Sequence, residues 1–186
     1  MPADHAALAF DALRRARVEF VVVGMSGINA FAPDPRDAFV TRDIDCLLRP
    51  DVDNLRRALL ALRAAGFTFE ANAEPFIDVE DETVLANVLR QGATIQATHA
   101  DAMPLDLMLS MAGFSFAEIA SDAVAFQIGD IEVRVGRLQK LLQAKEIAGR
   151  PKDLEFLRLF AARFRRRSAP DRTRPRASPP LRTAAV

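Results

Sequence analysis

The chain contains no tryptophan and no tyrosine, one cysteine and two histidines. Each shortage excludes something. Without Trp and Tyr, the aromatic anchors favoured at protein interfaces are missing, and stacking on a nucleobase has to use phenylalanine. Cys46 has no partner for an internal disulfide, which fits a reducing compartment. It lies in an apolar run beside Asp45, so it reads as a buried inert thiol rather than a nucleophile. His5 and His99 do not combine with Cys46 into any usual zinc spacing. No stretch reaches the ~20 apolar residues of a membrane span. The N-terminus shows no basic region followed by an apolar segment, so no signal peptide is expected. The sequence therefore predicts a cytoplasmic protein with no membrane partner.

Half of the 186 residues are hydrophobic, enough for a substantial core. The length predicts one domain, over residues 1–167. Residues 168–186 are Pro, Arg, Ser, Ala and Thr with little apolar content, and they predict a disordered basic tail. Acids and bases balance at 25 each, but unevenly along the chain. Residues 163–186 hold eight arginines and one acid, Asp171, while residues 1–162 hold 17 basic and 24 acidic residues. Arginine-rich segments favour nucleic acid through phosphate contacts and counterion release. A merely solubilising extension explains the same residues.

Along the chain, apolar residues at helical spacing predict a helix over 3–17. The run Val18–Val23 predicts a buried strand, broken by Gly24, with a short helix starting near Ser26. Residues 32–40 predict a loop. Ile44–Leu48 predicts a strand, and Asp51 caps a helix over 52–65 that Gly66 ends. Phe67–Phe69 and Phe76–Val79 predict short strands, with a helix over 82–90 after them. Thr94–Thr98 and Leu105–Leu109 predict two strands around a turn at 99–104. A short helix over 116–120 precedes a hairpin, Ala125–Ile128 with Ile131–Val135, around Gly129-Asp130. Two helices close the domain, at 138–147 and 152–167. The pattern is α/β (α+β): a mixed β-sheet flanked by helices, with C-terminal helices.

The chemistry concentrates on Thr41-Arg42-Asp43-Ile44-Asp45-Cys46. Residues two apart on a strand share a face, so Asp43 and Asp45 are expected to project together. Adjacent carboxylates repel and raise each other's pKa unless a cation lies between them. Magnesium takes oxygen ligands and uses one or two carboxylates with substrate phosphates. A plainer reading leaves Asp43 as a cap and Asp45 as a surface residue. Asp106, however, interrupts the apolar run Leu105–Leu109, and an acid there needs a hydrogen-bonding partner or a metal. If its strand neighbours the first pair, three carboxylates hold two ions for in-line phosphoryl chemistry. Val23-Gly24-Met25-Ser26-Gly27 adds a glycine-containing turn of the kind that meets phosphate.

These motifs together resemble the DNA polymerase β-like nucleotidyltransferases. In that superfamily a strand ends in Gly-Gly or Gly-Ser, a short helix follows, Asp-x-Asp lies on the next strand, and a third Asp comes later. Here the matching residues are Val21-Val22-Val23-Gly24, Asp43-Ile44-Asp45 and Leu105-Asp106-Leu107. Small bacterial members, including abortive-infection toxins of toxin–antitoxin systems, are similar at Leu141-Leu142-Gln143-Ala144-Lys145 and Gly149-Arg150-Pro151-Lys152-Asp153-Leu154. The resemblance spans residues 18–160.

It implies a nucleotidyltransferase-type fold and transfer of a nucleoside monophosphate from an NTP to an RNA, protein or small-molecule acceptor. Asp43, Asp45 and Asp106 bind Mg2+ (or Mn2+) in this reading, and Asp106 also activates the attacking hydroxyl. Gly24 and Ser26 lie near the triphosphate, Lys145 and Lys152 contact the nucleotide, and an antitoxin-like protein partner is expected. As plain surface residues, the two lysines would be solvated helix positions. Met25 departs from the pattern, because Gly or Ser is expected there. The alternative is a catalytically inactive module of the same fold that binds nucleotide, RNA or a partner protein.

A serine nucleophile elbow is the other reading for Gly24-Met25-Ser26-Gly27. The second glycine it requires falls at Ile28, and the downstream histidine is His99.

Overall fold

The computed structural model describes residues 3–168, with side chains over 6–163. The expected tail from 169 onward lies outside the described residues. Helix α1 (Ala3–Arg15) buries Ala6, Ala9, Phe10 and Leu13, one helical stripe. Arg17, at φ 55, turns the chain into β1 (Phe20–Val22). Helix α2 (Gly24–Asn29) begins at the glycine itself, two residues earlier than the sequence suggests. A short 3-10 turn at Pro35–Asp37, capped by Asp34, lies inside the expected loop.

Strand β2 (Ile44–Leu48) is followed by α3 (Val52–Ala64), whose Asp51 cap accepts from the Asn54 N–H at 2.8 Å. Strands β3 (Thr68–Ala71) and β4 (Glu74–Pro75) form a tight hairpin. The strand expected at Phe76–Val79 does not form. Asn72 and Ala73 both take positive φ and close the turn early, so the pairing starts at Glu74, and the Phe76 N–H still bonds the Phe69 carbonyl at 2.9 Å before the chain leaves β3.

Helix α4 (Glu82–Gln91), capped by Asp81 and ended by Gly92 in the left-handed region, leads to β5 (Ile95–His99). Strand β6 (Ala102–Met108) starts earlier than expected, so the turn shrinks to Ala100-Asp101. Helix α5 (Phe116–Ser121) opens with a capping box of Ser115 and Glu118. The hairpin of β7 (Val124–Ile128) and β8 (Ile131–Val135) is as expected. Helix α6 (Leu138–Ala148) ends at Gly149, and α7 (Pro151–Ser168) starts on a proline at its first position.

The eight strands form one mixed sheet in the order β4-β3-β5-β6-β2-β1-β8-β7. Pairing is parallel between β2 and β6 and between β1 and β8, and antiparallel elsewhere. Phe10 of α1 stacks on Phe20 at 5.8 Å, which sets α1 against the face carrying Phe20 and Val22. Register then puts Cys46 and Leu48 on that face, and alternation puts Asp45 on the other. Among the described residues no helix is long and apolar enough to cross a membrane.

Candidate active site

Strands β2 and β6 run parallel with Asp45 directly opposite Asp106. The two residues come from strands separated by α3, the β3–β4 hairpin, α4 and β5. Their flanking positions are apolar: Ile44 and Cys46 on β2, Leu105 and Leu107 on β6, all buried. These pack the opposite face and fix the strands, so the carboxylates sit side by side on a rigid platform.

Asp43 differs from the expectation. It lies in the bend before β2 rather than in the strand, and the Thr41 hydroxyl donates to its backbone oxygen at 3.1 Å and to its carboxylate at 3.2 Å. Strand alternation therefore does not aim it, and the Thr41 bond does. It is still close enough to act electrostatically on Asp45. Burial pushes the Asp45 carboxyl up to about 6, and the charges of Asp43 and Asp106 add to the rise. Lys145 and the backbone N–H of Met25 pull the other way.

Gly24 follows β1 with φ +60, and a Cβ there would stand 1.7 Å from Asp45 Oδ2. A glycine is thus required both by the left-handed backbone and by the carboxylate pressed against it. The next residue, Met25, contributes its main chain: its N–H donates to Asp45. Ser26 turns inward. It is 3 % exposed, and its hydroxyl donates to the Val23 carbonyl at 3.3 Å.

Lys145 arrives on α6 and is held from behind. Its Nζ is 3.0 Å from Asp153 Oδ1 on α7, with side chains 14 % and 2 % exposed. Arg150 grips the other Asp153 oxygen at 2.5 Å. Burial raises the Asp153 carboxyl, but the bonds from Arg150 and Lys145 outweigh it and hold the group below the usual carboxylate range. Lys152 is on the first turn of α7 and exposed to solvent. The structure therefore brings Asp43, Asp45, Asp106, Gly24 and Lys145 into one electrostatic neighbourhood. It turns the Ser26 hydroxyl away and leaves Lys152 at the surface.

Sequence reasoning missed Gln96 as a site residue. Its Nε2 donates to Asp106 Oδ1 at 3.1 Å, which supplies the hydrogen-bonding partner an acid in an apolar strand needs. The signal was the polar position in Ile95-Gln96-Ala97, directly opposite Asp106 once β5 and β6 are paired. Asp153 lies in the Gly149–Leu154 motif, and its role as the partner of Lys145 emerges only from the packing of α7 on α6. The Cys46 thiol is inert: burial pushes its pKa far up, with Asp45 and Asp106 adding to it. His99 lies against Phe67 at 5.1 Å and accepts the Asp101 N–H at Nδ1, so its contacts lie at the β5–β6 turn rather than with Ser26.

All donors at the carboxylates are oxygens, which suits a hard cation. Among the described residues no group of three or more His, Cys, Asp or Glu side chains is arranged to hold a metal ion. The side-by-side pair Asp45 and Asp106 still matches the one or two carboxylates that magnesium takes beside substrate phosphates. The donor set fits such an ion as a shared site completed by substrate, not as a closed protein cage.

The chain matches no protein-family profile and no curated protein.

Proposed function

We propose that the protein is a nucleotidyltransferase of the polymerase β type, moving a nucleoside monophosphate from an NTP to an acceptor hydroxyl on RNA, protein or a small molecule. The observation that carries this reading is the direct pairing of Asp45 with Asp106, where a buried carboxyl is raised to about 6 by burial and by its acidic neighbours. A fold does not retain such crowding for stability, because burial and like charges both disfavour the ionised form.

When bound, magnesium or manganese would neutralise phosphate oxygens at these carboxylates. The chain's own residues do the rest. Asp106, oriented by Gln96, takes the proton of the attacking hydroxyl. The acceptor oxygen bonds to the α-phosphorus as the α–β bridging P–O bond breaks, and pyrophosphate leaves. Lys145, held by Asp153, offers positive charge to the phosphates. Gly24 keeps the main chain close to Asp45 without a side chain in the way.

A second reading rests on a specific observation. The Met25 N–H is already committed to Asp45 and the Ser26 hydroxyl to Val23, so two groups that would meet a triphosphate are engaged within the chain. That arrangement favours a non-catalytic module of the same fold, binding nucleotide, RNA or a partner protein.

Incubation with each α-labelled triphosphate and magnesium or manganese separates the two. Metal-dependent transfer that vanishes in Asp45→Asn and in Asp106→Asn is expected for the enzyme. Nucleotide binding that survives both substitutions, with no transfer by the parent protein, would sink the catalytic reading.

A further inference from the structure

Two parts of the site meet at a residue that belongs to neither. Phe156 lies on α7, one turn beyond Asp153, and is 6 % exposed. Lys145 Nζ stands 5.3 Å from the centroid of its ring. Phe39 meets the same ring edge-to-face, at 4.8 Å and 74°. Phe160 completes the cluster, 5.6 Å from Phe156 and 6.3 Å from Phe39.

Phe39 is the fixed point of the strap that joins α2 to β2. Asn29 brackets its main chain: the side-chain amide donates to the Phe39 carbonyl at 2.7 Å and accepts the Phe39 N–H at 2.8 Å. Arg163 covers the ring from α7 at 4.3 Å and donates to the Asp37 carbonyl. Beyond Phe39 the chain has four residues in which to reach Asp43, about 14 Å at full extension. Val40 is 94 % exposed and gives that stretch no packing, so its hold comes from Phe39 at one end and the Thr41–Asp43 bond at the other.

We propose that Phe156 is a positioning residue for the carboxylate site, setting Lys145 on one side of its ring and the Asp43-bearing strap on the other. The inference rests on the nucleotidyltransferase reading for its catalytic consequence, but not for its structural one. The ring's negative face attracts the ammonium, and its edge geometry suits a second aromatic ring. An aliphatic side chain of similar bulk fills the space and supplies neither interaction. The ring itself is therefore what matters, and this separates positioning from core filling.

The test compares Phe156→Leu with Phe156→Tyr in the full chain, read first by amide hydrogen exchange without nucleotide. In Phe156→Leu, exchange over residues 37–43 is expected to rise at least ten-fold, while residues 44–48 and 52–64 keep the parent rates. Phe156→Tyr is expected to stay near the parent throughout. The second reading is transfer kinetics. Phe156→Leu is expected to raise the KM for the triphosphate about ten-fold with a smaller change in kcat, and Phe156→Tyr to recover most of the loss. Unchanged exchange over 37–43 in Phe156→Leu would overturn the proposal. So would a uniform rise in every segment, or a tyrosine variant as loose as the leucine one. A parent protein without transfer activity would defeat the enzymatic reading alone, because the exchange comparison still decides whether Phe156 holds the strap.

Discussion

At Asp45 three influences raise the carboxyl pKa and two oppose them, and the balance leaves it near 6 against an ordinary 3.8. The folded protein thus holds this proton more tightly than the unfolded chain. Its stabilising contribution is complete below pH 3.8 and is lost as pH rises through 6. A shift of that size corresponds to at most about 3 kcal/mol. Asp45→Asn should therefore raise the thermal midpoint at neutral and alkaline pH, and change it little near pH 4. Millimolar magnesium should raise the midpoint of the parent at alkaline pH and leave Asp45→Asn unaffected. Scanning calorimetry across pH checks both, and a flat pH response in the parent contradicts the crowding at this residue.

Gly24 gives the companion prediction. Alanine there takes a left-handed conformation that costs about 1–2 kcal/mol, and its Cβ collides with Asp45 Oδ2. Gly24→Ala should lose at least that much stability in urea and also lose the magnesium response. Retention of the full response would mean that the carboxylate does not need its present place.

Among the elements, those with a local cause were legible. The β-branched run before Gly24, the alternation of Ile131–Val135 and the Asp51 cap each state their structure within a few residues, and each formed. What failed depended on context. The Phe76–Val79 run has strand-like residues, but the turn at Asn72-Ala73 starts the pairing earlier, and after one bond from the Phe76 N–H to Phe69 the chain leaves the sheet for the turn before α4. Asp43 fits strand alternation on paper, yet β2 begins one residue later. Context also decides Asn54 of α3, which is buried and bonds the main chain of Glu19 through both amide atoms and also the Arg49 carbonyl.

The facing of Asp45 and Asp106 was legible only as a condition. The sequence supplies both acids, but their register follows from β6 entering the sheet beside β2, after five intervening elements.

The joint of α6 and α7 shows the same division. Lys145 and Asp153 are visible in the sequence, but their meeting depends on the bend at Gly149. Removing one member of a buried ion pair strands the other and costs about 3–5 kcal/mol. Because Arg150 stays exposed, Asp153→Ala should fall at the lower end of that range in urea titrations. Lys145→Met with Asp153→Leu should recover most of the stability and none of the transfer activity. Recovery of both would reduce the pair to a structural bond.

For the whole molecule, charge separation is the property that bears on the acceptor. Residues 1–162 carry an excess of seven acids, and residues 163–186 an excess of seven bases. The carboxylates lie in the acidic part, so a polyanionic acceptor approaches them against repulsion unless cations elsewhere hold it. The arginines at 172, 174, 176 and 182 are cations of this kind. Each phosphate contact on single-stranded RNA adds about −0.7 to the slope of log affinity against log salt. Deleting residues 169–186 should therefore flatten that slope by up to about 3 units and weaken RNA binding most at low salt. The thermal midpoint should stay unchanged, since the deleted stretch has little apolar content. Transfer to a small hydroxyl acceptor should survive the deletion while transfer to RNA falls. If RNA affinity proves independent of salt, or indifferent to the deletion, the arginines are not the RNA contact. The acidic surroundings of Asp45 and Asp106 then favour a neutral or cationic acceptor, unless the four arginines between 163 and 167, which the deletion leaves in place, hold the polyanion instead.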